Sequence, residues 1–151
     1  MCGGRALYRH ILIGLNQSEA AHRALRQAIH LAARFNATLT AVAVTPALPP
    51  YTAYAAALSS EAIQIMENDQ QALFAELLET ARREAAQNDI AIETVLISGS
   101  VVVSLFEVVR KNHIDLLVLG IQPDHNLLGW RSGNIAHKLA QRATCDVLGV
   151  H

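Results

Sequence analysis

The residues best placed to do chemistry are Gly120 and the Ser132-Gly133-Asn134 triplet. Gly120 closes the apolar run Asp115-Leu116-Leu117-Val118-Leu119-Gly120, and twelve residues separate it from Gly133. The triplet opens a new helical pattern. An apolar strand ending on glycine, a polar loop and a helix start together make a small-ligand site in an open α/β sheet. Glycines admit a close backbone approach, and a helix N-terminus offers unpaired N–H groups to an anion. Arg131 adds a positive charge beside that start. Pro123 works against a phosphate cradle, because proline has no N–H to donate. A plain strand–loop–helix turn would use the same residues.

Asn16 is the second candidate. It lies just past the first apolar run, where open α/β sheets bind ligands, and its amide both donates and accepts. A turn or cap role is the alternative. The chain has neither a Walker A lysine pattern nor a G-x-G-x-x-G sequence. Its seven histidines are scattered; His22 and His30 stand about two helical turns apart, too far to share a metal without another ligand. Asp124-His125 resembles an oriented base, but no matching nucleophile is near, and surface imidazoles are the better reading. There are no paired carboxylates and no zinc spacing. Cys2 and Cys145 are the only cysteines. Loss of Met1 would expose Cys2 as an N-terminal thiol, yet nothing else supports such an enzyme, and residues 1–7 read as a flexible tail. Cys145 reads as a reduced thiol beside the last strand. Trp130, with Leu127-Leu128, places apolar bulk in the site loop, either to fold back on the core or to lie over a ligand or partner, the first being the better reading.

Strand and helix patterns alternate to position these groups. Apolar runs at Tyr8–Leu15, Thr38–Val44, Ile90–Ser98, His113–Gly120 and Cys145–Val150 read as five strands. Helices are expected from Ser18 to about Phe35, from Ser59 or Ser60 to about Gln87, over Val101–Asn112 and over Ser132–Ala143. The first should bury Ala21, Ala24, Leu25, Ala28, Leu31 and Ala32. The second carries Ile63, Met66, Gln70, Leu73, Leu77 and Thr80 at helical spacing, and the third Val102, Leu105, Phe106 and Val109. The Pro46–Leu58 stretch is a long loop. This order predicts one α/β domain over residues 8–151: a five-stranded parallel, doubly wound sheet with helices on both faces.

Composition agrees with a packed domain: 52% hydrophobic, 17% charged and a net charge of −1 over 151 residues. Charges are interspersed, so neither nucleic acid nor a membrane surface is an expected partner. The apolar runs are strand-length, far short of a membrane span. No signal-peptide core is evident, and a cytoplasmic location is expected.

The chain resembles the universal stress protein family from about Tyr8 to His151. The likeness is carried by His10-Ile11-Leu12-Ile13-Gly14-Leu15-Asn16 through Ser18-Glu19, by Leu96-Ile97-Ser98-Gly99-Ser100, by Asn112–Gly120, and by Ala143-Thr144-Cys145-Asp146-Val147-Leu148-Gly149-Val150. The resemblance implies an adenine-nucleotide α-hydrolase-like sheet whose last strand pairs with its copy in a homodimer; an apolar terminal edge strand argues the same way. It also implies an ATP or AMP cleft, with Mg²⁺ as the companion ion. The family's ATP-binding motif is Gly, two residues, Gly, nine residues, then Gly with Ser or Thr. Gly120 and Gly133 keep that frame, while Pro123 and Asn134 depart from it, and the family's acidic residue after the first strand is Asn16. Carried over by position, the nucleotide contacts are Leu15, Asn16, Val44, Leu119, Gly120, Gly133, Asn134 and Ile135. Asn16 is expected to keep a usable carbonyl. The expected role is a non-catalytic stress-response protein with at most slow ATP hydrolysis. The alternative is an interaction module that binds no nucleotide and regulates an unknown protein partner through its surface.

Overall fold

The computed structural model describes residues 7–46, 59–122 and 132–151. The segments 1–6, 47–58 and 123–131 lie outside it, so the readings for Cys2, Pro123, Asp124-His125, Leu127-Leu128, Trp130, Arg131 and most of the Pro46–Leu58 loop fall outside the described residues. The order is β1 (His10–Leu15), α1 (Glu19–Phe35), β2 (Thr38–Thr45), α2 (Ser60–Gln87), β3 (Ile92–Ser98), α3 (Val101–Lys111), β4 (Leu116–Gly120), α4 (Ser132–Arg142) and β5 (Asp146–Val150). The expected elements are all present. Four strands begin later than the sequence suggested: β1 at His10, β3 at Ile92, β4 at Leu116 and β5 at Asp146. Apolar residues before them pack on the core without joining a ladder, as Tyr8, Ile90 and Ile114 do.

The five strands are parallel in the order β3-β2-β1-β4-β5. Alternate side chains feed two cores. Ile11, Ile13, Leu15, Ala41, Ala43 and Val118 pack against α1 and α2. Leu12, Val42, Val44, Leu117 and Leu119 pack against α3 and Leu139 of α4. Both faces are covered, so the central strands read as continuous apolar runs rather than alternating ones.

Local chemistry sets the helix ends. The Ser18, Ser59 and Ser100 hydroxyls accept from the backbone N–H groups of Ala21, Ala62 and Val103, an N-cap on each of the first three helices. Asn36 closes α1 in the left-handed conformation, φ 51°, which asparagine tolerates. At the amino end of the sheet the Asp115 carboxylate accepts from the N–H groups of Arg9 and His10 at 2.8 and 2.9 Å. Tyr8 donates to Asp146 at 2.9 Å, a bond that holds the phenol above its ordinary pKa. These contacts pin that end, and the carboxyl end is left for a site.

Two helix faces differ from the sequence reading. In α1 the stripe includes Ala20 and Ile29, and Leu31 is only half-buried. In α2 the core-facing residues are Phe74, Leu78, Ala81 and Ala85, one position on from the expected Leu73, Leu77 and Thr80. Leu73 is 50% exposed and Met66 46%. Two apolar rows run side by side on this helix, and the sheet takes the one carrying the phenylalanine and the alanines, which lets the helix lie close. Ser60–Leu73, about 20 Å of α2, contributes no fully buried residue.

Candidate functional site

In the order β3-β2-β1-β4-β5, the chain leaves β1 toward β2 on one side and reaches β4 on the other. Crossovers on opposite faces diverge there, and the gap above the strand ends is where doubly wound sheets hold ligands. A cavity of about 270 Å³ lies at that point. Its floor and walls are the ends of β1 (Gly14, Leu15), β2 (Val42, Val44) and β4 (Leu119, Gly120). Val101 and Leu105 of α3, Ile135 and Ala136 of α4, Phe74 of α2 and the turn residues Asn16, Ser18, Pro46 and Gln122 complete it.

Six of the eight residues expected from the sequence therefore meet around one cavity: Leu15, Asn16, Val44, Leu119, Gly120 and Ile135. Gly133 and Asn134 fall in the first turn of α4, and their side chains are outside the described residues. Sequence reasoning missed Gly14, Ser18, Val42, Phe74, Val101, Leu105 and Gln122. Some carried a signal. Val42 is two residues before Val44 and so shares its face of the strand, and Val101 and Leu105 are one helical turn apart. Phe74 carried none, because it follows from the true face of α2.

The two glycines on the described lining, Gly14 and Gly120, each have a steric reason. A Cβ on Gly14 would stand 2.8 Å from the Leu119 side chain and 3.7 Å from Leu105, so its absence leaves room in the cavity floor. A Cβ on Gly120 would come within 2.3 Å of the Ala20 and Ala21 backbone. Gly120 thus lets the end of β4 meet the first turn of α1. Gly99, at φ 136°, turns β3 into α3, with its N–H donating to Thr45 O at 3.0 Å.

The polar side chains on the described lining are Asn16, Ser18 and Gln122. Ser18 N–H donates to Asn16 Oδ1 at 2.9 Å, and Ala21 N–H donates to Ser18 Oγ at 3.1 Å. The carbonyl that Asn16 was expected to offer a ligand accepts one backbone N–H, and its second lone pair and its amide hydrogens remain. A second groove of about 500 Å³ adjoins this corner, sharing Leu15, Asn16 and Ser18, and carries His22, Arg23 and Arg26. Arg23 is held there by Glu19 at 3.8 Å and by the His151 carbonyl at 3.0 Å, and His22 lies 3.7 Å from Glu84. Cys145 is free and half-buried; burial pushes its thiol pKa up, so it is no activated nucleophile. Among the described residues no cluster of His, Cys, Asp or Glu could hold a metal ion, and no helix is long and apolar enough to cross a membrane.

A parallel doubly wound sheet with an apolar, glycine-floored cavity at its switch point defines the class of small α/β proteins built around a ligand cleft. The family profile of the universal stress proteins matches residues 7–151, and the chain belongs to the universal stress protein family. It is 31% identical over 150 residues to universal stress protein A homolog 1 of Coxiella burnetii, covering 95% of this chain and 96% of that one. Among solved structures, a universal stress protein in complex with cAMP superposes with a TM-score of 0.73 at 24% identity, over 96% of this chain and 98% of the other. A family member from Arabidopsis thaliana with AMP bound superposes at 0.64 and 16% identity, over 94% and 90%.

Proposed function

We propose that this chain is a non-catalytic, cytoplasmic stress-response protein whose cleft binds an adenine nucleotide, and that it works as a homodimer through β5. The observation that carries the ligand reading is the cavity itself. Leu15, Val42, Val44, Phe74 and Leu119 supply apolar walls for a flat base, with Asn16, Ser18 and Gln122 at its rim. Family members in complex with cAMP and with AMP support an adenine ligand for this fold. The volume, about 270 Å³, is just under the roughly 300–1,000 Å³ of small-molecule sites.

The residues present fit the base and sugar. Mg²⁺ would neutralise phosphate charge; no carboxylate stands on the described lining, so the ion would be held chiefly by the phosphates. None of the described lining side chains is ionisable, which supports binding rather than catalysis. Gly120, Gly133 and Asn134 would face the phosphates, with Leu15, Val44, Leu119 and Ile135 around the base and sugar.

The dimer reading is supported by β5. It lies at the sheet edge, Val147-Leu148-Gly149-Val150 carries no charge, and Leu148 is 37% exposed. An uncharged edge of this kind is open to another strand.

Isothermal titration with AMP, cAMP and ATP, with and without Mg²⁺, tests the ligand reading. The expected result is micromolar binding of at least one of these adenine nucleotides. No heat, together with no retention in equilibrium dialysis, would leave the alternative role of an interaction module acting on a protein partner.

A further inference from the structure

The apolar row of α2 that the sheet does not take stays open to solvent over much of its length. Ala62, Met66, Leu73 and Leu77 recur on one side of the helix, within about 60° of one another at about 100° per residue. Met66 is 46% exposed, Leu73 50%, and Ile65, on the solvent side of the row, 58%. Three large apolar side chains open to water within nine residues form a patch rather than scattered surface positions. The row also leads into a groove: Leu77 lines the space of about 500 Å³ between α1 and α2, together with Leu25 of α1.

The charge around this row has one sign. Residues 60–81 hold Glu61, Glu67, Asp69, Glu76 and Glu79 and neither lysine nor arginine. Arg82 answers Glu79 at 3.1 Å, and among the described residues no cation pairs with the other four. Asp69 and Glu76 fall directly beside the row on its solvent side, with Glu61 just beyond. On the α1 wall of the groove His22 faces Glu84 at 3.7 Å and Arg23 faces Glu19 at 3.8 Å, which leaves Arg26 as the cation at that end. The stretch 47–58 that leads into α2 carries no charge to answer the carboxylates. A second copy of α2 would set carboxylates against carboxylates, and nucleic acid or an anionic membrane would be repelled.

We infer that this row is a docking surface for a protein segment that forms a basic amphipathic helix. Apolar anchors at helical spacing lie along Leu77, Leu73 and Met66, and Lys or Arg residues beside them meet Glu76, Asp69 and Glu61. Arg26 sets the direction: the basic part of the partner lies on the Ser60–Leu73 half of α2, and its uncharged end enters the groove. This surface stands apart from the nucleotide reading and does not depend on it.

The probe is a fluorescein-labelled peptide of about 18 residues, long enough to hold a helix, with leucines at that spacing and lysines flanking them. Its controls have the leucine positions scrambled, or glutamates in place of the lysines. Fluorescence anisotropy should show saturable binding of the first peptide to the full chain and at least about tenfold weaker binding of both controls. Met66→Ser with Leu73→Ser should weaken the first peptide about tenfold, and thermal unfolding checks that the variant is folded. Asp69→Lys with Glu76→Lys should turn the preference toward the glutamate peptide, a readout that does not depend on the serine variant folding. No binding of the first peptide, equal binding of the scrambled one, or an affinity indifferent to both variants overturns the inference. A smaller assembly of the serine variant in sedimentation overturns it in favour of a second copy. A changed emission of Trp130, the only tryptophan, in the peptide-free serine variant overturns it in favour of this chain's own residues 123–131.

Discussion

Gly120 is where the two uses of a site glycine separate. By motif position it matches a phosphate contact; in the fold it also lets β4 touch the α1 backbone, since a Cβ there would sit 2.3 Å from Ala20 C and Ala21 N. Those neighbours are main-chain atoms in a capped helix turn and cannot swing away. Gly120→Ala should therefore lower stability by about 3 kcal/mol, the scale of overpacking in a rigid core, whether or not ligand is present. Denaturant unfolding checks this, and an unchanged midpoint would mean that α1 is free to shift. Asn16 shows the same doubling: its carbonyl accepts from Ser18 N–H in the β1–α1 turn, and the residue also lines the cleft. Residue type and position made both legible as candidates in the sequence. The division of each between fold and ligand was not legible, because it depends on contacts with residues that only the fold brings near.

At the scale of elements, most of the fold could be read directly. The Ser18 cap, the choice of Ser59 or Ser60 for α2 and the apolar strands follow from local chemistry, and all five strands and four helices are present, with four of the strands starting later than the pattern put them. The face of α2 could not be read. Leu73 and Leu77 and their neighbours Phe74 and Leu78 form two apolar rows about 100° apart, and periodicity gives no preference between them. The sheet decides, because Ala81 and Ala85 let only one row lie close. The uncertain row cost the site Phe74. β5 carries the dimer proposal at this scale. Leu148→Glu places a charge on the exposed edge strand, and sedimentation equilibrium should show a wild-type dimer and a monomeric variant. A dimer that survives the substitution, or a monomeric wild type, would move the interface away from β5.

The whole molecule divides its labour between the two ends of one sheet. At the amino end, Asp115 gathers the entry to β1, Tyr8 reaches Asp146, and the edge of the Tyr8 ring packs on Phe35. At the carboxyl end, Gly14 and Gly120 take the place of larger residues, and the cavity forms between diverging crossovers. That asymmetry follows from parallel topology: every strand delivers its carboxyl end to the same edge, so Leu15, Val44 and Leu119 converge although they are far apart in sequence. Ile121 links this edge to β5. Its N–H donates to Val150 O at 2.7 Å, and its side chain covers the face that Gly149 leaves bare. The site and the proposed dimer edge are thus neighbours across one residue.

The claim on which the rest depends is that the switch-point cavity is the ligand site. Backbone amide chemical-shift mapping during an AMP titration tests it most directly, because it locates binding residue by residue. The account predicts shifts that grow with AMP concentration at Leu15, Asn16, Val44, Leu119, Gly120 and Ile135, with the amino-end residues His10, Thr38 and Asp115 unmoved. Shifts centred on the amino end, or none at saturating AMP, would contradict it.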